Sequence, residues 1–171
     1  MTASPVDDGR YVLVDGRRWR ATDPSIPAPF RAELVRELMA ARRAVGATTR
    51  SGGDASPDRQ RVADAKVALG ERGEPWWEAP SVDGRRRRIE ATIRALLRSR
   101  RPESSICPSD VARAIGGSSW RSLVPVVREV ATELVTNGTV VVTQGDRPVD
   151  VTTARGPIRL RRGARLVAVR E

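Results

Sequence analysis

The chain has 171 residues, 39% hydrophobic and 30% charged, which allows one ordinary domain or two small ones and matches a soluble globular protein. No apolar run approaches the ~20 residues that a membrane-spanning helix needs. With no histidine, one cysteine and a net charge of +10, the usual catalytic triads, imidazole metal centres and an internal disulfide are excluded, and an anionic partner is favoured.

Residues 1–9 are expected to be a disordered tail, and "MTASPVDDGR" lacks the charged start and apolar stretch of a secretory signal. Together with the single Cys107 this points to the cytoplasm. "YVLVDGRRWRA" reads as a hairpin with Asp15-Gly16 as a type I′ turn. In that register Val12 faces Trp19 and Val14 faces Arg17, so Val12, Val14 and Trp19 are expected to share a buried face. Phe30, Leu34, Leu38, Ala41 and Val45 then recur at helical spacing, with Gly46 as the expected stop and "ATTRSGGDAS" as a flexible loop. A second helix opens with Ser56 as N-cap and Pro57 at its first position. Val62, Ala65 and Leu69 give its apolar face, and Gly70 ends it. Trp76 and Trp77 follow beside a Pro/Gly-containing linker, either locking the chain together or presenting an anchor to a partner.

From Asp83 the texture changes. Residues 1–82 carry 13 Arg and Lys against 12 Asp and Glu, a net of +1, whereas residues 83–171 carry 18 against 9, a net of +9. Only Lys66 is lysine, a bias that GC-rich coding would produce, but coding bias does not place the excess in one half. "RRRRIEATIRALLRSR" is an amphipathic helix with Ile89, Ile93, Leu96 and Leu97 inward. Its basic start opposes the helix dipole and calls for a compensating partner or for exposure. Pro102 stops it, "SSI" is a short extended piece, and "CPSDVARAIGG" is a helix with Pro108 first and Asp110 in its first turn.

In "SSWRSLVPVVREVATELVTNG", Pro125 limits the helix, because deep inside one it would lose a hydrogen bond and clash. With Ser122 as N-cap the helix runs over about 123–136, residues 118–121 form a preceding turn, and Pro125 falls in the first turn. Val126, Val127, Val130, Ala131, Leu134 and Val135 make its apolar face, and Asn137-Gly138 stops it. Then come the strand "TVVVTQ", the polar loop "GDRPVDVTTAR" and the strand "GPIRLRR", with Ile158 and Leu160 inward and Arg159 and Arg161 outward.

Helix, short strand, helix, turn, helix, strand, loop, strand is the plan of a winged helix-turn-helix. The expected class is α+β: a small β-hairpin plus helical-hairpin unit at 10–78, a linker at 79–84, a winged helix-turn-helix domain at 85–163 and a C-terminal extension at 164–171.

"SICPSDVARAIG", "WRSLVPVVREVA", "VVVTQGDRPVD" and "TARGPIRLRRG" also resemble, in one order over residues 89–163, a bacterial family known only as a domain of unknown function. The resemblance implies a winged-helix fold and an expectation of nucleic-acid binding, with no activity to carry over. "DGRRWRATDPSIPAPFRAELVRELMAARRAV" and "AKVALGERGEPWW" resemble another small uncharacterised bacterial module, whose relatives sometimes carry a biopolymer-transporter label that no feature of these residues supports.

No catalytic, metal-binding or cofactor-binding residue stands out, and the chain is not expected to be an enzyme. Cys107 precedes a helix that could lower its pKa, but a small half-buried residue at a helix start is the simpler reading. In a winged helix the third helix enters the major groove and the wing touches flanking backbone. Trp120, Arg121 and Arg128 are the helix candidates, although Glu129 and Glu133 beside them would repel phosphate, and Trp120 also reads as a core aromatic. Arg147, Arg155, Arg159, Arg161 and Arg162 form the wing candidates, since the forked guanidinium suits a sugar-phosphate backbone. The alternatives are a solvated basic face, or a winged helix that binds protein with the N-terminal unit as partner surface. Duplex DNA is the expected partner, no membrane is involved, and the sequence does not set the oligomeric state.

Overall fold

The computed structural model describes residues 4–6 and 8–167. Ser4–Val6 (β1) pairs antiparallel with Tyr11–Val14 (β2), which pairs with Arg17–Arg20 (β3). The tail expected to be disordered over 1–9 therefore holds a strand at 4–6. Its residues 1–3 and 7, and residues 168–171 of the C-terminal extension, lie outside the described residues. Asp15 and Gly16 both have positive φ, 51° and 72°, as a type I′ turn demands, and the register sets Val12 opposite Trp19 and Val14 opposite Arg17. The expected buried face does not follow. Trp19 is 46% exposed, because this sheet contributes nothing to the buried core cluster and Lys66, 5.1 Å from its ring centroid, is what covers the indole.

The hairpin is held instead by aromatic contacts. Tyr11 meets Trp77 edge-on at 5.5 Å, Trp77 meets Trp76 at 5.1 Å, and the Trp76 Nε1–H donates to the Ala21 carbonyl at 3.0 Å. The tryptophan pair thus packs within the molecule.

Ala28–Arg50 (α1) and Ser56–Ala68 (α2) form the helical hairpin. Gly46 does not end α1, contrary to expectation. A glycine inside a helix costs only ~1 kcal/mol, and Thr48 in the following turn donates to Asp58 Oδ2 of α2 at 2.8 Å. The stop lies at Gly52, whose φ of 74° leaves the helical region. In α2, Ala55 takes the N-cap position one residue before the expected Ser56, and Asp54 Oδ1 accepts from the Ser56 N–H at 2.8 Å.

Val82–Ser99 (α3) begins inside the segment expected to be a linker, with the Ser81 hydroxyl accepting from the Gly84 N–H at 2.9 Å. Ile89, Ile93, Leu96 and Leu97 are all buried as the periodicity predicts. They join Leu34 and Leu38 of α1 and Ala65 of α2 in one hydrophobic cluster that also takes in the rest of the C-terminal half. One core runs through both halves of the chain.

Ser105–Ile106 (β4) leads to Pro108–Ile115 (α4), capped by Asp110 Oδ2 accepting from the Cys107 N–H at 3.1 Å. A Cβ at Gly116 would stand 2.6 Å from both the Ala112 carbonyl oxygen and the Trp120 Cα, so the tight turn into the next helix requires glycine. A 3-10 turn at Gly117–Ser119 passes into Trp120–Thr136 (α5). The helix therefore starts before the expected 123, Ser122 is not its N-cap, and Pro125 lies beyond the first turn. Ser122 instead donates its hydroxyl back to the Ser119 carbonyl at 2.8 Å, and the ring at 125 forgoes the N–H that would have met the Arg121 carbonyl. Val127, Val130, Ala131 and Leu134 are buried, Val126 is half-buried, and Val135 is exposed on the far edge of the apolar stripe.

Val140–Gln144 (β5), Arg147–Pro148 (β6) and Arg159–Arg162 (β7) complete an antiparallel sheet in the order β4-β7-β5-β6, and Ala164–Val167 (α6) follows. Ile158 and Leu160 are buried and Arg159 is exposed, as the alternation predicts. The fold is α+β, and α3 to β7 is consistent with a winged helix. Among the described residues no helix is long and apolar enough to cross a membrane.

Candidate nucleic-acid interface

Part of the charge excess of the second half is neutralised by acids of the first half. Arg88 of α3 meets the buried Asp23 at 2.7 Å, and Arg98 meets the buried Asp64 of α2 at 2.7 Å, with Arg94 at 4.0 Å from the same carboxylate. Arg100, just after α3, clasps Glu33 of α1 through two bonds of 2.8 and 3.1 Å. That pairing raises the Arg100 pKa above the ordinary arginine value. Asp23, Asp64 and Glu33 of the near-neutral half thus serve arginines of the basic half.

The basic start of α3 finds its partner too. Arg86 pairs with Glu129 of α5 at 3.2 Å and with Glu133 one turn further on. The two glutamates that would repel phosphate are the counter-charges of a neighbouring helix.

The wing arginines divide by the pleat of β7. Arg162 shares the face of Leu160 and turns inward, donating to the carbonyls of Leu97, Arg98 and Arg100 at 3.0, 3.2 and 2.6 Å. It closes the C-terminal end of α3, where a cation is favoured, and burial lowers its pKa. On the opposite face Arg159 donates to the Ser105 hydroxyl at 2.9 Å, and Arg161 reaches Asp146 at 3.1 Å and the Glu103 carbonyl at 3.4 Å. Arg128 of α5 donates to the Ala154 and Gly156 carbonyls at 2.9 and 3.4 Å and so ties the wing loop to the helix. In that loop Asp150 accepts from the Thr152 hydroxyl and N–H at 2.6 and 2.8 Å, bonds that hold its carboxyl below the ordinary range. Arg147 and Arg155 are exposed, and among the described residues neither guanidinium has a carboxylate partner.

At the entrance to α5, Trp120 is half-buried against the core cluster while its ring carries two guanidinium groups. Arg121 lies 4.5 Å and Arg113 of α4 4.6 Å from the ring centroid, and among the described residues neither has a carboxylate partner. The packing of Trp120 against the core agrees with its reading as a core aromatic. Residues 86–163 match the family described as Protein of unknown function (DUF3253). No curated protein matches the chain. The DUF3253 segment takes in the helix entrance and the wing, agrees with the resemblance carried by the four motifs, and leaves the N-terminal half unassigned.

Arg113 escaped the sequence reading. It sits seven residues before Trp120 across a glycine turn, where no helical or strand spacing relates the two. On α4 it is exposed between buried Ala112 and Ala114. Within the DUF3253 segment Cys107 is half-buried and accepts from the Ser109 hydroxyl at 3.0 Å, which suits a residue at a helix start.

Proposed function

We propose that the DUF3253 segment is a non-catalytic winged-helix module that binds duplex DNA, in a cytoplasmic and regulatory setting. The observation that carries this reading is the Arg113–Trp120–Arg121 stack. It gathers two guanidinium groups on one aromatic ring at the start of the third helix. The first turn of that helix is where base or phosphate contacts begin in this fold class. Arg147 and Arg155 reach the flanking backbone from the wing, with Arg159 and Arg161 beside them. Arg128 holds the wing in position, and Arg162 serves α3. Phosphate contacts dominate and sequence preference is weak, because the outward face of α5 offers few groups that read base edges.

The test is a salt titration of duplex DNA binding by the full chain, since α1 and α2 share the core of α3. Affinity falls steeply with salt as condensed counterions are released. The Arg113→Ala/Arg121→Ala pair flattens the slope by up to ~2 units. No measurable affinity at ~50 mM salt, where the electrostatic term is strong, ends this reading.

A second reading, a protein-interaction module with the N-terminal half as part of the partner surface, draws on one observation. The side chains of Glu129 and Glu133 remain 64% and 66% exposed despite Arg86. It predicts weak DNA binding that the double substitution leaves unchanged.

A further inference from the structure

The N-terminal half, whose net charge is close to zero, concentrates cations at one place. Arg42 and Val45 stand three residues apart on α1, and Arg59 and Val62 three apart on α2, so each pair shares a helix face. The two faces meet around a pocket of about 330 Å³ that Arg72, from the chain after α2, closes on a third side. It is lined by the two half-buried valines and by three exposed arginine side chains. Lys66, one turn beyond Val62, adds a fourth cation. Burial and the charges of Arg42 and Arg72 push its pKa below the ordinary lysine value, with Glu71 opposing.

The contrast with the rest of the molecule is what makes this cluster informative. Arg61, between Arg59 and Val62, is clasped by the buried Glu37 at 2.9 and 3.1 Å, and Arg88 and Arg98 of α3 meet carboxylates. Among the described residues Arg42, Arg59, Arg72 and Lys66 have no ion pair. Of the nearby acids, Glu71 accepts from the Thr22 hydroxyl at 2.8 Å, and Asp54 accepts from Ser56 and attracts Arg59 without forming an ion pair. Like charges gathered beside the two valines repel one another, and an anion with an apolar body relieves that repulsion while covering the valines.

We propose that the pocket between α1 and α2 binds a small soluble organic anion, one phosphate, sulfonate or carboxylate group carried on an aromatic or short aliphatic body. The anionic group takes the forked donors of Arg42, Arg59 and Arg72, and the body rests on Val45 and Val62. The proposal uses none of the residues of the DNA-binding reading and stands independently of it.

The experiment is calorimetric titration of the full chain with 1-naphthyl phosphate, with inorganic phosphate and 1-naphthol as the two halves of the probe. One saturable site is expected, with each half binding at least about tenfold more weakly. The Arg42→Gln/Arg59→Gln variant loses about tenfold or more in affinity, and the Arg36→Gln variant, at an exposed position of α1 outside the pocket lining, loses none. Because Arg42 and Arg59 are exposed and hold nothing in place, their removal leaves the melting temperature unchanged or higher. Three results overturn the proposal: no saturable binding up to ~5 mM, unchanged binding by the double variant, or inorganic phosphate binding as tightly as the naphthyl ester.

Discussion

Four arginines of α3 (Arg86, Arg88, Arg94 and Arg98) meet carboxylates, whereas Arg113 and Arg121 at the start of α5 and two arginines of the wing meet an aromatic ring or solvent. Arg88, Arg98 and Arg100 hold Asp23, Asp64 and Glu33 of the first half. Arg113 and Arg121 lie on Trp120, and Arg147 and Arg155 are exposed. The same residue type performs both tasks, because a planar fork of donors suits a buried carboxylate as well as a phosphate. A net charge of +9 over residues 83–171 therefore measures composition, and the charge available to a polyanion is what remains after the seam between the halves is neutralised.

The largest effect that separates the two regions belongs to the seam. Asp64→Ala strands Arg98 beside a buried helix face, while Arg94 keeps Glu90 at 2.7 Å, and removing one partner of a buried pair costs ~3–5 kcal/mol. Chemical denaturation of the full chain should show that loss, while the salt slope of DNA binding by the folded protein stays where it was. A stable Asp64→Ala protein with a changed slope would mean that the seam arginines face the nucleic acid after all.

Arg162 comes next. Alanine there removes three donors from the carbonyls that end α3 and should cost ~1–3 kcal/mol, since buried acceptors are left unmade. The substitution also deletes one positive charge from the strand that the sequence marks as a phosphate ladder. If the pleat has been read correctly, stability falls and the DNA salt slope does not move. A flattened slope with unchanged stability would return Arg162 to the outer face.

These assignments show what the sequence could and could not display. The hairpin turn at Asp15-Gly16, the inward Ile158 and Leu160 and the apolar faces of α3 and α5 were legible because each follows from a period of two or 3.6, or from a positive φ. Strand period two applied one residue further would also have turned Arg162 inward beside Leu160. The end of α1 and the start of α5 are not legible, because packing overrides the stop that Gly46 suggests and the limit that Pro125 suggests. Gly46 is carried by a helix held at Thr48, and Pro125 by one that begins at the Gly116 turn. Partnerships across the fold, Arg113 with Trp120 and Arg86 with Glu129 and Glu133, left no trace in spacing. They depend on how three helices cross, and each partner taken alone was a solvated charge.

The smallest effect on stability gives the sharpest view of how DNA would lie. Glu129 and Glu133 are largely exposed and their pairing with Arg86 is a surface interaction, worth ~0–1 kcal/mol. The Glu129→Gln/Glu133→Gln variant should therefore melt close to the parent. Its DNA affinity discriminates between docking modes. If α5 lies along the groove, phosphates pass near both glutamates; removing two negative charges, and releasing Arg86 from them, should strengthen binding several-fold, with a steeper salt dependence. If only the helix entrance and the wing touch DNA, the glutamates stand more than a Debye length from the nearest phosphate, ~8 Å at physiological salt, and affinity should change little. A loss of affinity would contradict both modes. It would indicate that the glutamates hold Arg86 and the start of α3 in a position the DNA requires, so that the counter-charges of the seam and the binding face belong to one electrostatic unit.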